Sequence, residues 1–273
     1  MSATAAENFA DRPVALVTGA GSGIGRAVSL DLVRTHRIAV VDRDAAAAAA
    51  VVAAAGGVGH AEAYAVDVTE EESLQDAVRR VLQTFGRLDA VAACAGIASG
   101  GTVETTTLGD WHRTLAVNLT GVFLTARVTV PHLRATRGSF TAIASDAGTT
   151  GAMDMAAYTA SKHAVLGLVR GMALDFGRDG VRSNVVCPGF VETPMARGIF
   201  ADAPEGTEEF YRELIPLGRF AEAEDVAAVV RHLVESRYTN GHAYAIDGGS
   251  TAGYYRNPAA PFVAATGGSH GEH

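Results

Sequence analysis

Lysine is nearly absent from this chain: of its 22 basic residues only Lys162 is a lysine, and the rest are arginine. An ammonium is a compact point charge that approaches a hydroxyl or phenol oxygen where a forked guanidinium does not fit, so a lone lysine marks a place to look for chemistry. Cysteine is as scarce. Cys94 and Cys187 lie in apolar runs without CxxC or metal-type spacing, which excludes a disulfide scaffold and reads as buried reduced thiols. The histidines show no metal-ligand spacing either, so no metal is expected. No apolar run reaches the roughly 18 residues of a membrane span. Residues 1–10 carry Glu7 and neither a basic cluster nor an apolar segment, so no secretory signal is read there. The expectation is a cytoplasmic protein with no membrane partner. A formal charge of −8 argues against nucleic acid as a partner.

What is present is a chain of 273 residues, 48% hydrophobic and 19% charged, enough for a substantial core. Short β-branched runs alternate with longer amphipathic ones, the signature of repeated βαβ units. The pattern predicts strands over 14–18, 38–42, 63–68, 89–94, 139–144, 181–187 and 242–247, with helices over 24–35, 45–55, 70–85, 108–134, 155–178 and 222–236. The fold class expected is α/β: one doubly wound domain, a seven-stranded parallel sheet with helices on both faces. It would span 12–249, between an N-terminal extension (1–11) and a C-terminal tail (250–273). Segment 188–220, with Pro194, Pro204 and Pro216, breaks the alternation and reads as a functional flap.

The first strand runs into TGAGSGIG, Thr18 to Gly25, and a helix follows. Glycines let backbone approach a pyrophosphate closely, and a helix N-terminus offers free N–H groups and a positive dipole end. Asp42 closes the second strand, where a carboxylate accepts hydrogen bonds from ribose hydroxyls and repels a 2′-phosphate. A Rossmann-type dinucleotide site follows from this context, with NAD favoured over NADP; Arg43, able to meet a 2′-phosphate or stack on adenine, is the countervailing residue. Tyr158 and Lys162, four apart in a helical segment, share one face. An ammonium beside a phenol is expected to lower the phenol's pKa and fit it for proton exchange with an alcohol.

Together TGAGSGIG, the strand-end Asp42, Asn118 in VNLTG, Ser145 in ASDAG, YTASK and CPGFVETPM resemble the short-chain dehydrogenase/reductase family, in family order from about Arg12 to Gly249. The resemblance implies a catalytic tetrad. Tyr158 would be general acid/base and Ser145 would hold the substrate oxygen. Lys162 would bind the nicotinamide ribose, and Asn118 would anchor a water in a proton relay. It implies dinucleotide contacts from Gly19, Ser22, Gly23, Ile24, Gly25, Asp42, Arg43, Asp67, Val68, Cys94, Ala95, Gly96, Pro188, Gly189, Val191 and Thr193, besides Tyr158 and Lys162. The substrate pocket is expected at Ala147, Met153, Met155, Phe190, Met195 and Phe200, an apolar set, with Tyr254 or Tyr255 helping to close it. The chain departs from the family in reading Ala93–Gly96 where Asn-Asn-Ala-Gly is common, which touches local packing more than chemistry. The activity implied is NAD-dependent interconversion of a secondary alcohol and a ketone, on a small apolar substrate, by a homotetramer or homodimer. An NADPH-dependent 3-oxoacyl thioester reductase and a non-catalytic nucleotide-binding scaffold are the alternatives.

Overall fold

The computed structural model describes residues 9–201 and 203–253. The expectations for Tyr254 and Tyr255 therefore lie outside the described residues.

Seven parallel strands form one sheet in the order β3-β2-β1-β4-β5-β6-β7. They are β1 (Val14–Thr18), β2 (Arg37–Asp42), β3 (Ala61–Ala65), β4 (Ala90–Ala93), β5 (Ser139–Ile143), β6 (Arg182–Pro188) and β7 (Ala243–Ile246). The inner strands are buried on both faces, as VALVT in β1 illustrates, which is why they read as continuous apolar runs. Helices α1 (Gly23–Leu32) and α2 (Ala45–Ala54) cover one face, together with α9 (Ala223–Glu235). The other face is covered by α3 (Glu71–Phe85), α5 (Gly121–Thr136) and α6 (Ala156–Phe176). The alanine run of α2 is helical as its propensity demands, and Asp44 caps it by accepting from the amides of Ala46 and Ala47.

Most element ends shift slightly from expectation, and three segments near the site differ in more than that. The third strand ends at Ala65, so Asp67 and Val68 lie beyond it. The helix expected over 108–134 is divided into α4 (Leu108–Leu115) and α5 by a π turn at Ala116–Thr120. By length and composition Leu108–Thr136 would pass for a membrane span, but 56% of its apolar window is buried within the protein, where Val122, Ala126, Val130 and Leu133 join the core. The flap contains the short helices α7 (Pro194–Phe200) and α8 (Thr207–Glu213). Arg212 of α8 pairs with Glu192 and Glu208 and lies over the Phe220 ring, tying α8 to the flap's base.

Strand order reverses between β1 and β4, whose onward connections leave toward opposite faces of the sheet. A crevice opens at the carboxyl ends of strands at such a switch point.

Candidate functional site

A cleft of about 1000 Å³, open mouth included, occupies this switch point. Its walls include Gly19 and Ser22–Gly25 after β1, Asp42 and Arg43 after β2, Asp67 and Val68 after β3, and Cys94–Gly96 after β4, with Thr193 from the flap. Val66, Ile97, Val117, Pro194 and Met195 also line it. Sequence reasoning did not assign the first four, whose apolar pattern matches that of core residues, and placed Met195 with the substrate. Pro188, Gly189 and Val191 lie at the flap's root, off the cleft wall: Gly189 donates to the Ile246 carbonyl, and Val191 is buried.

The glycine-rich turn is compact enough to dictate its composition. A Cβ on Gly25 would lie 2.2 Å from the Gly19 carbonyl oxygen, and Gly19 itself adopts φ +61°. Ser22 stands at the N-cap of α1 without a side-chain capping bond, leaving the first-turn amides free for an anion. The Asp42 carboxylate braces the turn, accepting from the Gly21 amide at 2.8 Å through Oδ2 and from the Asp44 amide through Oδ1. Hydrogen bonds from the Thr69 amide and hydroxyl, with help from Arg43, hold the Asp67 carboxyl below its usual value. These features fit a dinucleotide: backbone donors for its pyrophosphate at one end, carboxylate acceptors for a ribose at the other.

Next to the cleft, Asn118, Ser145, Tyr158 and Lys162 come together from the π turn, the end of β5 and two successive turns of α6. The π turn places Asn118 inside the protein, 0% exposed. Its Nδ2 donates to the Ile97 carbonyl and the Ser161 hydroxyl, and its Oδ1 accepts from the Ile97 amide. Ser161 in turn donates to the Tyr158 carbonyl at 2.7 Å, so the amide fixes both the loop after β4 and the start of α6. A methyl on Gly96 would sit 3.4 Å from Asn118 Oδ1 and 3.5 Å from Lys162 Nζ, so glycine keeps open the space between amide and ammonium.

Lys162 is 5% exposed, and its ammonium donates to the Ile143 carbonyl at 3.0 Å. Burial pulls its pKa down to about 8, against the raising influence of Cys94 and Cys187. Cys94, by the same burial, is pushed up to about 12. The Tyr158 phenol behaves otherwise than the sequence suggests. Burial raises its pKa, Asp146 adds to the rise, and only a hydrogen bond with Ser145 opposes it. The ammonium lies 5.5 Å from the ring centroid and is engaged by Ile143, so among the protein's own groups desolvation outweighs the expected lowering.

The expected substrate-pocket residues fall in several settings. Ala147 is buried beside Ser145, donating its amide to the serine oxygen. Met155 pairs with Gly101 in a bridge that joins the loop after β4 to the start of α6, while Met153 is 83% exposed. Phe190 and Phe200 pack with Tyr211 and Phe220 in an aromatic cluster of the flap, at centroid distances of 4.9–5.8 Å. Asp146, which sequence reasoning passed over, accepts from Ser145; the signal available was an acid directly after the serine of ASDAG.

A doubly wound sheet with a glycine-lined crevice, and a Ser/Tyr/Lys cluster at one end of it, defines a class of nucleotide-linked oxidoreductases. The chain belongs to the short-chain dehydrogenase/reductase family, whose members are oxidoreductases: the family model described as enoyl-(acyl carrier protein) reductase matches residues 19–251. It is 37% identical over 244 residues to meso-2,3-butanediol dehydrogenase of Serratia marcescens, covering 89% of this chain and 96% of that one. Among solved structures it is similar to levodione reductase, with a TM-score of 0.84 and 31% identity over 89% of this chain and 98% of that one. It is also similar to a 3-ketoacyl-(acyl-carrier-protein) reductase of Brucella melitensis complexed with NADH, with a TM-score of 0.80 and 28% identity over 87% and 98%.

Proposed function

We propose that this chain interconverts a secondary alcohol and a ketone using NAD. The convergence of Ser145, Tyr158 and Lys162 at one end of the switch-point cleft carries this reading. Bound nicotinamide supplies the hydride chemistry, and the residues supply orientation and proton transfer. The free amides of α1 and the glycine turn would hold the pyrophosphate, with Asp42 on the adenosine ribose and Lys162 on the nicotinamide ribose. Ser145 would hydrogen-bond the reacting oxygen. Tyr158 would take the alcohol's proton in oxidation and return it in reduction, with Asn118 keeping the approach to Lys162 in shape. Oxidation of members of a secondary-alcohol panel, followed by nicotinamide absorbance, tests the reading; NAD binding without turnover of any member would refute it and favour a scaffold role.

Asp42 supports NAD over NADP by the charge it would present to a 2′-phosphate, and Asp67 offsets the charge of Arg43 nearby. Asp42→Ala is expected to lower kcat/KM with NAD by roughly tenfold or more, the worth of a charged hydrogen bond, and to raise NADP use relative to NAD. An unchanged ratio in side-by-side rates would place the choice elsewhere. A second reading, reduction of a 3-oxoacyl thioester, draws on the description of the matching family model and on the Brucella relative. A preference for NADPH and acyl thioesters over NADH and simple ketones would favour it.

A further inference from the structure

One carboxylate beside the tetrad has no part in the chemistry above. Ser145 caps the short 3-10 turn Asp146–Gly148. Asp146 Oδ1 accepts from the Ser145 hydroxyl at 2.8 Å and from the Ala147 amide at 2.7 Å. Among the described residues no other residue donates to Oδ2, and no arginine, lysine or histidine forms an ion pair with this carboxylate. The groups that face it are Tyr158 from α6, Cys187 from β6 and Asp247 after β7. Burial raises its pKa, the bonds from Ser145, Ala147 and its own amide lower it, and Asp247 raises it again; the rise prevails. A half-buried carboxylate with one oxygen unengaged and no cation beside it is stabilised by any hydrogen-bond donor brought to it.

We propose that Asp146 is a specificity-determining residue that accepts a hydrogen bond from a second hydroxyl, on the carbon next to the reacting one, so that this site takes vicinal diols and the matching α-hydroxy ketones. The inference rests on the reading of Ser145 and Tyr158 given above. The reacting oxygen is held by Ser145 when its hydroxyl proton turns to it from Asp146 Oδ1, which lies one hydrogen-bond length from the serine oxygen. The two oxygens of a gauche vicinal diol are separated by a similar length, about 2.8 Å, so one hydroxyl reaches the carboxylate when the other is on Ser145. The same charge disfavours substrates with an anionic group next to the reacting carbon, since like charges in a desolvated site repel. An apolar monohydroxy substrate leaves Oδ2 unsatisfied, whereas a diol supplies the donor.

The test compares initial rates of NAD reduction with butane-2,3-diol and with butan-2-ol, for the unmodified chain, Asp146→Ala and Asp146→Asn. The readout is the ratio of the two kcat/KM values within each protein, which cancels general damage transmitted through Ser145. The unmodified chain is expected to prefer the diol by at least about tenfold, the worth of a hydrogen bond to a charged acceptor. Asp146→Ala is expected to bring the ratio to within about threefold of one. Asp146→Asn, which keeps a carbonyl acceptor without the charge, is expected to fall between. Equal use of both alcohols by the unmodified chain, or an unchanged ratio in Asp146→Ala, overturns the assignment of Asp146 while leaving the proposed reaction standing. Failure to oxidise either these or any other secondary alcohol removes the underlying reading and this inference with it.

Discussion

Tyr158→Phe is expected to reduce turnover by about a thousandfold, within the range that a positioned general acid/base contributes, while NAD affinity stays within about twofold. The substitution removes one oxygen and leaves a ring of nearly the same shape, so packing at the start of α6 is retained. The cleft walls that would hold the dinucleotide come from other elements: the turn after β1, the ends of β2 and β4, and the flap. Loss of kcat with unchanged cofactor binding is the pattern of a group needed only as the reaction proceeds. Titrating NAD by intrinsic fluorescence alongside single-turnover rates separates the two quantities; a variant with near-normal turnover would show that the proton travels by another route. The raised pKa of the phenol gives a further expectation. Alcohol oxidation, which needs the phenolate, should quicken as pH rises, and in the Phe variant that dependence should disappear.

Lys162→Arg is expected to be almost as damaging, with kcat falling by about a hundredfold or more. The ammonium is 5% exposed and donates to the Ile143 carbonyl at 3.0 Å, with Cys94 and Cys187 close enough to influence its titration. A guanidinium brings five donors in a rigid plane to a place where, among the described residues, the ammonium has one acceptor, the Ile143 carbonyl, and it cannot shed its proton under the burial that pulls the lysine down to about 8. Overpacking of such a site costs about 1–3 kcal/mol. A lower midpoint in urea should accompany the loss of rate. Normal rates together with normal stability would mean that any cation serves, contrary to what the scarcity of lysine suggests.

The strands were legible because buried parallel strands read as largely apolar runs rich in β-branched residues, and β1, VALVT, is buried along its whole length. The Gly19–Gly25 turn was legible because steric crowding admits no other residue at Gly25, so its composition records its geometry. Other features left no comparable trace. A π turn uses the same residue types as the α-helix around it, so nothing in AVNLT marks where the long helix would break. Helices α7 and α8 are short and surrounded by proline and glycine, and their pattern resembles a loop's. The Tyr158 pKa depends on the balance of burial against charge, which spacing along a helix does not fix. Asp146 escaped notice because an acid after a serine is also an ordinary turn residue. Its interest arises from the serine hydroxyl it accepts and from the absence of a cation pairing with it among the described residues.

A crystal structure with NAD and a secondary alcohol bound tests the central claim most directly. The Tyr158 and Ser145 hydroxyls should both lie within about 3 Å of the alcohol oxygen, with the Lys162 ammonium on the nicotinamide ribose. A phenol turned away from the dinucleotide, with the ammonium making no contact to the ribose, would contradict the account.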